Sequence, residues 1–230
     1  MNAYRSSPAV ANNKASETYT ALVNNSPQKT IFTRGYFSNN FNNSVIIGNR
    51  VSGCPYLFGD CSSLNRPITI GRNVIDCEGM FRNCNRFDQN IVIPKNVQNC
   101  QFMFDSCSRL SFAIKIPQNA KNCAGMFKNC YNIGDLDNMV IPSGTENCYT
   151  MFFNALNVSG NIYIKGTPNC KSMFGYSGGS RSYRVNIFCN NIEVITNNDY
   201  GILPLNAWTE IENGFRNTSS KLYAYYNYSG

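Results

Sequence analysis

The chain repeats itself, and the repeat leaves few folds open to it. Four segments begin and end with Cys seven positions apart and hold an apolar pair between: Leu57-Phe58 within Cys54–Cys61, Met80-Phe81 within Cys77–Cys84, Met103-Phe104 within Cys100–Cys107 and Met126-Phe127 within Cys123–Cys130. Two further copies, Cys148 to Ala155 around Met151-Phe152 and Cys170 to Ser177 around Met173-Phe174, keep the first Cys and lose the second. The step from one pair to the next is 23 residues three times, then 25, then 22. A near-constant period of this length marks a solenoid, in which each unit buries its apolar face only against its neighbours.

Between the units run short alternating stretches: Val45-Ile46-Ile47, Ile68-Thr69-Ile70, Ile91-Val92-Ile93, Ile114-Lys115-Ile116, Met139-Val140-Ile141 and Ile162-Tyr163-Ile164. Their period of two predicts strands with the outer residues turned inward and the middle one outward. Pro94, Pro117 and Pro142 end three of them, since proline cannot donate to a ladder. Val51, Val74, Val97, Ala120, Thr145 and Thr167, each three residues before a leading Cys, add a small core position. A Met-Phe pair flanked by Cys suits a single helical or 3-10 turn.

The expected fold is a β-rich repeat solenoid, leucine-rich-repeat-like, of roughly seven right-handed parallel coils with Ile70, Ile93, Ile116, Ile141 and Ile164 in one buried column. Residues 1–30 carry no apolar period and read as a flexible or extended arm. Residues 31–189 form the solenoid, opening on a degenerate cap unit in which Tyr36-Phe37 stands for Met-Phe. Residues 190–230 read as an irregular C-terminal cap, with a decayed repeat from Ile211 to Thr218 and a closing strand at Tyr223-Ala224-Tyr225.

Composition narrows the chemistry. There is no His, which removes the usual Ser-His-Asp and Cys-His catalysis and the commonest metal ligand. Of eleven Cys only Cys189 falls outside the repeat positions, so they read as a buried ladder of thiols, although stacked coils would also bring Cα atoms within disulfide reach. Cys seven apart do not match the close pairs of zinc sites. The residue after each Met-Phe pair runs Gly59, Arg82, Asp105, Lys128, Phe153, Gly175, and this change of charge at every coil reads as a solvated face rather than a row of catalytic acids. No catalytic, metal or cofactor residue is expected.

The formal charge is +7, but Lys and Arg are scattered, so no nucleic-acid partner is expected. No apolar run approaches the ~18 residues of a membrane span, and the first residues lack the apolar stretch of a secretion signal. Only 14% of residues are charged, a polar but uncharged surface of the kind found on extracellular and virion proteins.

Leu57-Phe58-Gly-Asp-Cys61-Ser-Ser-Leu64 and the strand ending Ile91-Val-Ile93-Pro94 resemble the BspA-type leucine-rich repeats and the related Met-Phe-x-x-Cys repeats of bacterial surface proteins. The resemblance covers residues 54–177 and departs from the pattern by one extra residue before the strand and by the doubled Cys. It implies a parallel solenoid used for adhesion and protein contact, with no catalytic residues. An unrepeated polar arm without an export signal further resembles a bacteriophage structural protein, assembled into a virion in the host cytoplasm and docked through its arm and exposed sheet face. The partners so implied are other virion or surface-assembly proteins, a host-surface glycan or protein, or further copies of the chain. The alternative is a carbohydrate-active enzyme built on a parallel solenoid. The candidate contact surface is the outward strand row Ile46, Thr69, Val92, Lys115, Val140, Tyr163 and Phe188, a stripe of mostly large apolar or aromatic residues.

Overall fold

A computed structural model describes residues 39–112, 114–175 and 184–189 continuously, with Phe37 and short stretches toward both ends. The chain winds as a parallel β-solenoid. Parallel bridges link Gly53 to Asp76, then Asn99, Asn122, Asn147 and Asn169, one per coil, and mark about five turns where the repeat count suggests seven.

Each Cys-to-Cys segment is a pair of tight turns, not the helical or 3-10 turn expected from its length. In the first copy Leu57 N–H donates to the Cys54 carbonyl and Cys61 N–H to that of Phe58, with positive φ at Tyr56 (54°) and Asp60 (66°). A hydrogen-bonded turn with a left-handed third residue is type II. The remaining amides leave the coil: Cys54, Tyr56, Phe58 and Asp60 donate to the carbonyls of Asp76, Glu78, Met80 and Arg82. Alternate amides thus close the turns and tie the coils together, which leaves no i-to-i+4 bonds for a helix. The pattern recurs through Asn154, whose amide reaches the Gly175 carbonyl. Gly79 and Gly125 occupy the left-handed position where Tyr56 and Phe102 do in the preceding coil, and a Cβ at either would run into that aromatic ring. Large and absent side chains therefore alternate up the wall.

Inside, Phe58, Phe81, Phe104, Phe127, Phe152 and Phe174 stack in sequence with ring centroids 5.3 to 5.8 Å apart and planes within 14°. Phe37 closes the first coil by stacking on Phe58 at 5.0 Å, the role expected of the degenerate cap. All eleven Cys are buried and free. In the second Cys column three thiols have a carbonyl partner: Cys84, Cys107 and Cys130 Sγ lie 3.1 Å from the carbonyls of Phe58, Phe81 and Phe104.

Asn accounts for much of the uncharged polarity. Before every leading Cys from Cys77 on, the side chain of Asp76, Asn99, Asn122, Asn147 or Asn169 accepts the amide two residues on. These are Asx turns. Elsewhere amide side chains bridge coils, as from Asn154 Nδ2 to Asn129 Oδ1 and from Asn186 Nδ2 to Asn161 Oδ1. The polar composition is thus explained from within the fold, without a surface ligand.

The strand side is less uniform than the sequence predicts. β1 (Ala3–Tyr4), β3 (Thr30–Ile31) and β5 (Val51–Gly53) form one parallel sheet, and β2 (Tyr19–Leu22), β4 (Val45–Ile47) and β6 (Ile68–Thr69) another. β7 (Met139–Ile141), β8 (Ser159–Ile164) and β9 (Arg184–Cys189) begin a third. β9 pairs in parallel with β12 (Leu222–Tyr225), which is the expected closing strand; β10 (Thr209–Ile211) and β11 (Gly214–Asn217) complete the sheet antiparallel. Ile91–Ile93 and Ile114–Ile116, expected as strands, make no inter-coil backbone hydrogen bonds among the described residues. Their inward residues are nevertheless buried, as are Ile70, Ile141 and Ile164, and Ile141 pairs with Ile164 in register. Thr167 is exposed where a core residue was expected; Pro168 is buried beside it, a one-residue shift in the 22-residue coil.

Candidate interaction face

The pleat turns every second side chain outward, and the register stacks these outward residues on one another in the paired strands toward either end. Ile46 pairs with Thr69, and further along Val140 pairs with Tyr163, and Tyr163 with Phe188. Ile46, Thr69, Val92, Lys115 and Val140 are exposed, Val92 at 81%. Tyr163 and Phe188 are partly buried because they stack on each other at 4.9 Å, and Phe188 stacks in turn on Tyr225 at 5.2 Å. At this end of the row the stacked rings cover one another's faces, so they do not make an open aromatic platform for a sugar face.

A notch of about 270 Å³ interrupts the row between Lys115 and Val140. Ile114, Ile116, Leu136 and Met139 form its apolar lining, with Lys115, Asp137 and Asn138 as its polar residues. It lies where the repeat lengthens to 25 residues. The extra length is taken up by consecutive left-handed residues, Asp137 (φ 46°) and Asn138 (φ 56°), a conformation that costs energy outside glycine and is tolerated best by Asn and Asp. The signal was present in the sequence as the single 25-residue step. Exposed Ile75, Phe112, Tyr131 and Tyr149 lie off the row.

The acids do not assemble a catalytic pair. Asp76 accepts the Glu78 amide and Asp135 the Asp137 amide, so both close pairs are turn-forming. Glu210 and Glu212 lie outside the described side chains. Asp105, expected on a solvated face, is buried. Its Oδ1 accepts from Asn129 Nδ2 and Ser106 Oγ, and its Oδ2 lies 3.1 Å from Arg82 Nε, close enough to pair by charge although the N–H is not aimed at it. Arg82 also lies over the Phe102 ring and Lys128 over Phe153, at 5.7 and 5.5 Å. Among the described residues no three His, Cys, Asp or Glu side chains come together as a metal site, and no helix is long and apolar enough to cross a membrane.

Residues 33–116 and 54–165, together more than half of the chain, match the family described as Mycoplasma protein of unknown function, DUF285. Among solved structures the leucine-rich repeat protein of T. pallidum is similar, with 18% identity, a TM-score of 0.52, and 81% of this chain aligned to 78% of that one. At that identity the likeness is one of fold. No curated protein matches the chain.

Proposed function

The chain belongs to the DUF285 family, and from that premise we propose that it is a non-catalytic binding module that contacts another protein through its outward sheet row. The observation that carries this reading is the exposure of Ile46, Val92 and Val140 in one row, Val92 at 81%. Large exposed apolar side chains aligned on one face, here separated by Thr69 and Lys115, mark a surface that a partner can cover. The side-chain-sized notch beside Val140 suits the anchoring contacts that dominate protein interfaces.

A narrower form of the reading makes the partner part of a virion, docked through residues 1–30, although Ala3–Tyr4 and Tyr19–Leu22 in that segment pair as strands of the solenoid's own sheets rather than as the free arm expected. It rests on the composition of that segment and on the resemblance to phage proteins. Carbohydrate cleavage has no comparable support, since the acid pairs are occupied in turns. The test is a Val92→Lys/Val140→Lys double variant. It should keep the thermal unfolding of the parent and lose the protein partner recovered by cross-linking to the parent in its native setting. A folded double variant that retains the same cross-linked partner rejects the sheet row as the contact surface.

A further inference from the structure

Before the long coil the acids and the cations are used differently. Between Val45 and Cys130 no Asp or Glu is fully exposed: Asp60, Asp76, Glu78 and Asp88 are half-buried and Asp105 is buried. Each is instead an internal acceptor: Asp60 from Asn83 Nδ2, Asp76 from the Glu78 amide, Glu78 from the Tyr56 hydroxyl, Asp88 from the Ser111 amide, and Asp105 from Asn129 Nδ2. Over the same stretch Arg66, Arg72, Arg86, Lys95, Arg109 and Lys115 are exposed. Among the described residues exposed carboxylates return at Asp135, Asp137 and Glu146. The carboxylates bond within and between coils while the cations face solvent, so the fully exposed charge of this part of the surface is positive.

The cations are also placed in register. Arg72 and Lys95 occupy the same turn one coil apart, since Asn96 Nδ2 donates to the Arg72 carbonyl and the Asn119 amide to that of Lys95. Arg86 and Arg109 flank a corner that stacks likewise, with Ser108 Oγ donating to the Asn85 carbonyl. At a coil spacing of roughly 4.8 Å such like charges repel. They also border the outward row: Arg66 and Arg72 stand three residues either side of Thr69, Lys95 three residues past Val92, and Lys115 within the row itself.

We propose that the half of the sheet face carrying Ile46, Thr69, Val92 and Lys115 binds an acidic protein surface. Carboxylates of the partner meet the flanking Arg and Lys, and its apolar side chains cover Ile46 and Val92. The inference rests on the sheet row being a protein-contact surface and adds the sign of the partner's charge, which steers encounter and selects among partners. A single-stranded nucleic acid fits less well, because binding of bases relies on aromatic platforms between the cations and the row here offers Ile46, Thr69 and Val92.

The test uses the full chain and a soluble glutamate–tyrosine copolymer as an acidic, partly apolar polypeptide probe, with polyuridylic acid and phosphatidylserine vesicles as the other polyanions, at about 0.15 M salt. The copolymer should bind more tightly than either. Arg72→Gln/Lys95→Gln/Lys115→Gln should weaken copolymer binding about tenfold, at roughly twofold per exposed charge, while Lys165→Gln/Lys171→Gln/Arg184→Gln should change it less than about twofold. Equal loss in the two triple variants, tighter binding to RNA or vesicles, or no copolymer binding would each overturn the proposal. The broader reading fails separately: if Val92→Lys/Val140→Lys keeps its native cross-linked partner, the row itself is not the contact surface, whereas loss of that partner without any copolymer binding leaves the row standing and removes the acidic partner.

Discussion

The coils before the long repeat and those after it are held together differently. From Cys54 to Cys130 the coils are bonded chiefly on the turn side, by the alternating amides of the Cys-to-Cys segments, while Ile91–Ile93 and Ile114–Ile116 make no ladder across the strand side. After Asp137 the turn ladder continues, and the strand side is bonded as well: β8 pairs with β9 over six residues and its outward rings stack. The second Cys of the unit disappears over the same interval, replaced by Ala155. Coil spacing is set by whichever side is bonded, so a solenoid tied along its turns can leave its strand side open. Val92 lies in the unladdered stretch and is 81% exposed, against 42% for Ile46 and 45% for Val140 in paired strands, which makes the first half the better candidate for binding.

Thiols make the two halves differ most. Burial raises the thiol pKa of Cys54, Cys61, Cys77, Cys84, Cys107 and Cys130 in the first half and of Cys189 in the second, at Cys61 and Cys189 to about 12. At Cys100 and Cys148 the hydrogen bond to the next thiol, Cys123 or Cys170, raises it first and burial second. The unfolded chain ionises its thiols near pH ~8.5, whereas the folded chain keeps them protonated to much higher pH. Their contribution is therefore complete below ~8.5 and falls as pH rises toward 12, by ~1.4 kcal/mol per pH unit for each thiol. With most of these thiols before Cys130, the first half should unfold within about one to two pH units above 8.5 under reducing conditions, a loss comparable to an entire domain's stability. Urea midpoints at successive pH values, read with hydrogen exchange in each half, would measure this; stability unchanged to pH 10 would mean that the thiols are not protonated and buried together.

The aromatic core comes next in size. Phe104 lies between Phe81 at 5.3 Å and Phe127 at 5.8 Å and is fully buried, so Phe104→Ala should cost about 3 to 5 kcal/mol in urea unfolding. Asn129→Ala should cost about 1 to 2 kcal/mol: it places Cβ without a polar group at φ 57° and removes the side-chain bonds to Asp105 and Asn154. Asn129→Gly keeps the backbone freedom and should be the milder change. Equal losses would mean that the amide bonds, not the left-handed turn, limit stability there.

Much of this was legible in the sequence, for a physical reason. A period of 23 residues repeats the environment of each position, so Met80, Phe81, Cys77 and Ile70 announce their burial by recurring. The turns were not legible, because Tyr56, Phe102 and Thr150 adopt positive φ that their own sterics disfavour; the inter-coil bonds of the ladder override local preference. Nor was the burial of Asp105, since one charge in a row of changing charge looks solvated until Arg82 and Asn129 are seen to reach it from coils 23 and 24 residues away. The missing ladder at Ile91–Ile93 left no trace either: alternation reports which side chains face inward, and those do, but it does not report whether neighbouring backbones are bonded.

The smallest effect separates the halves along the outward row itself. Val92 is 81% exposed and its backbone has no ladder bond, so Val92→Thr, which keeps β-branching and adds a hydroxyl that water can reach, should leave stability within about 0.5 kcal/mol. Tyr163 sits in the same row but is partly buried, bonded through β8 to β9 and stacked on Phe188 at 4.9 Å, so Tyr163→Thr should cost about 1 kcal/mol. The pair therefore asks what holds each end of the row in place. A Tyr163→Thr loss with Val92→Thr silent means that the aromatic end is part of the fold's own packing and that the aliphatic end is free to be covered by something else. If Val92→Thr instead destabilises as much as Tyr163→Thr, Val92 is already packed in the isolated chain, and its exposure no longer argues for a partner.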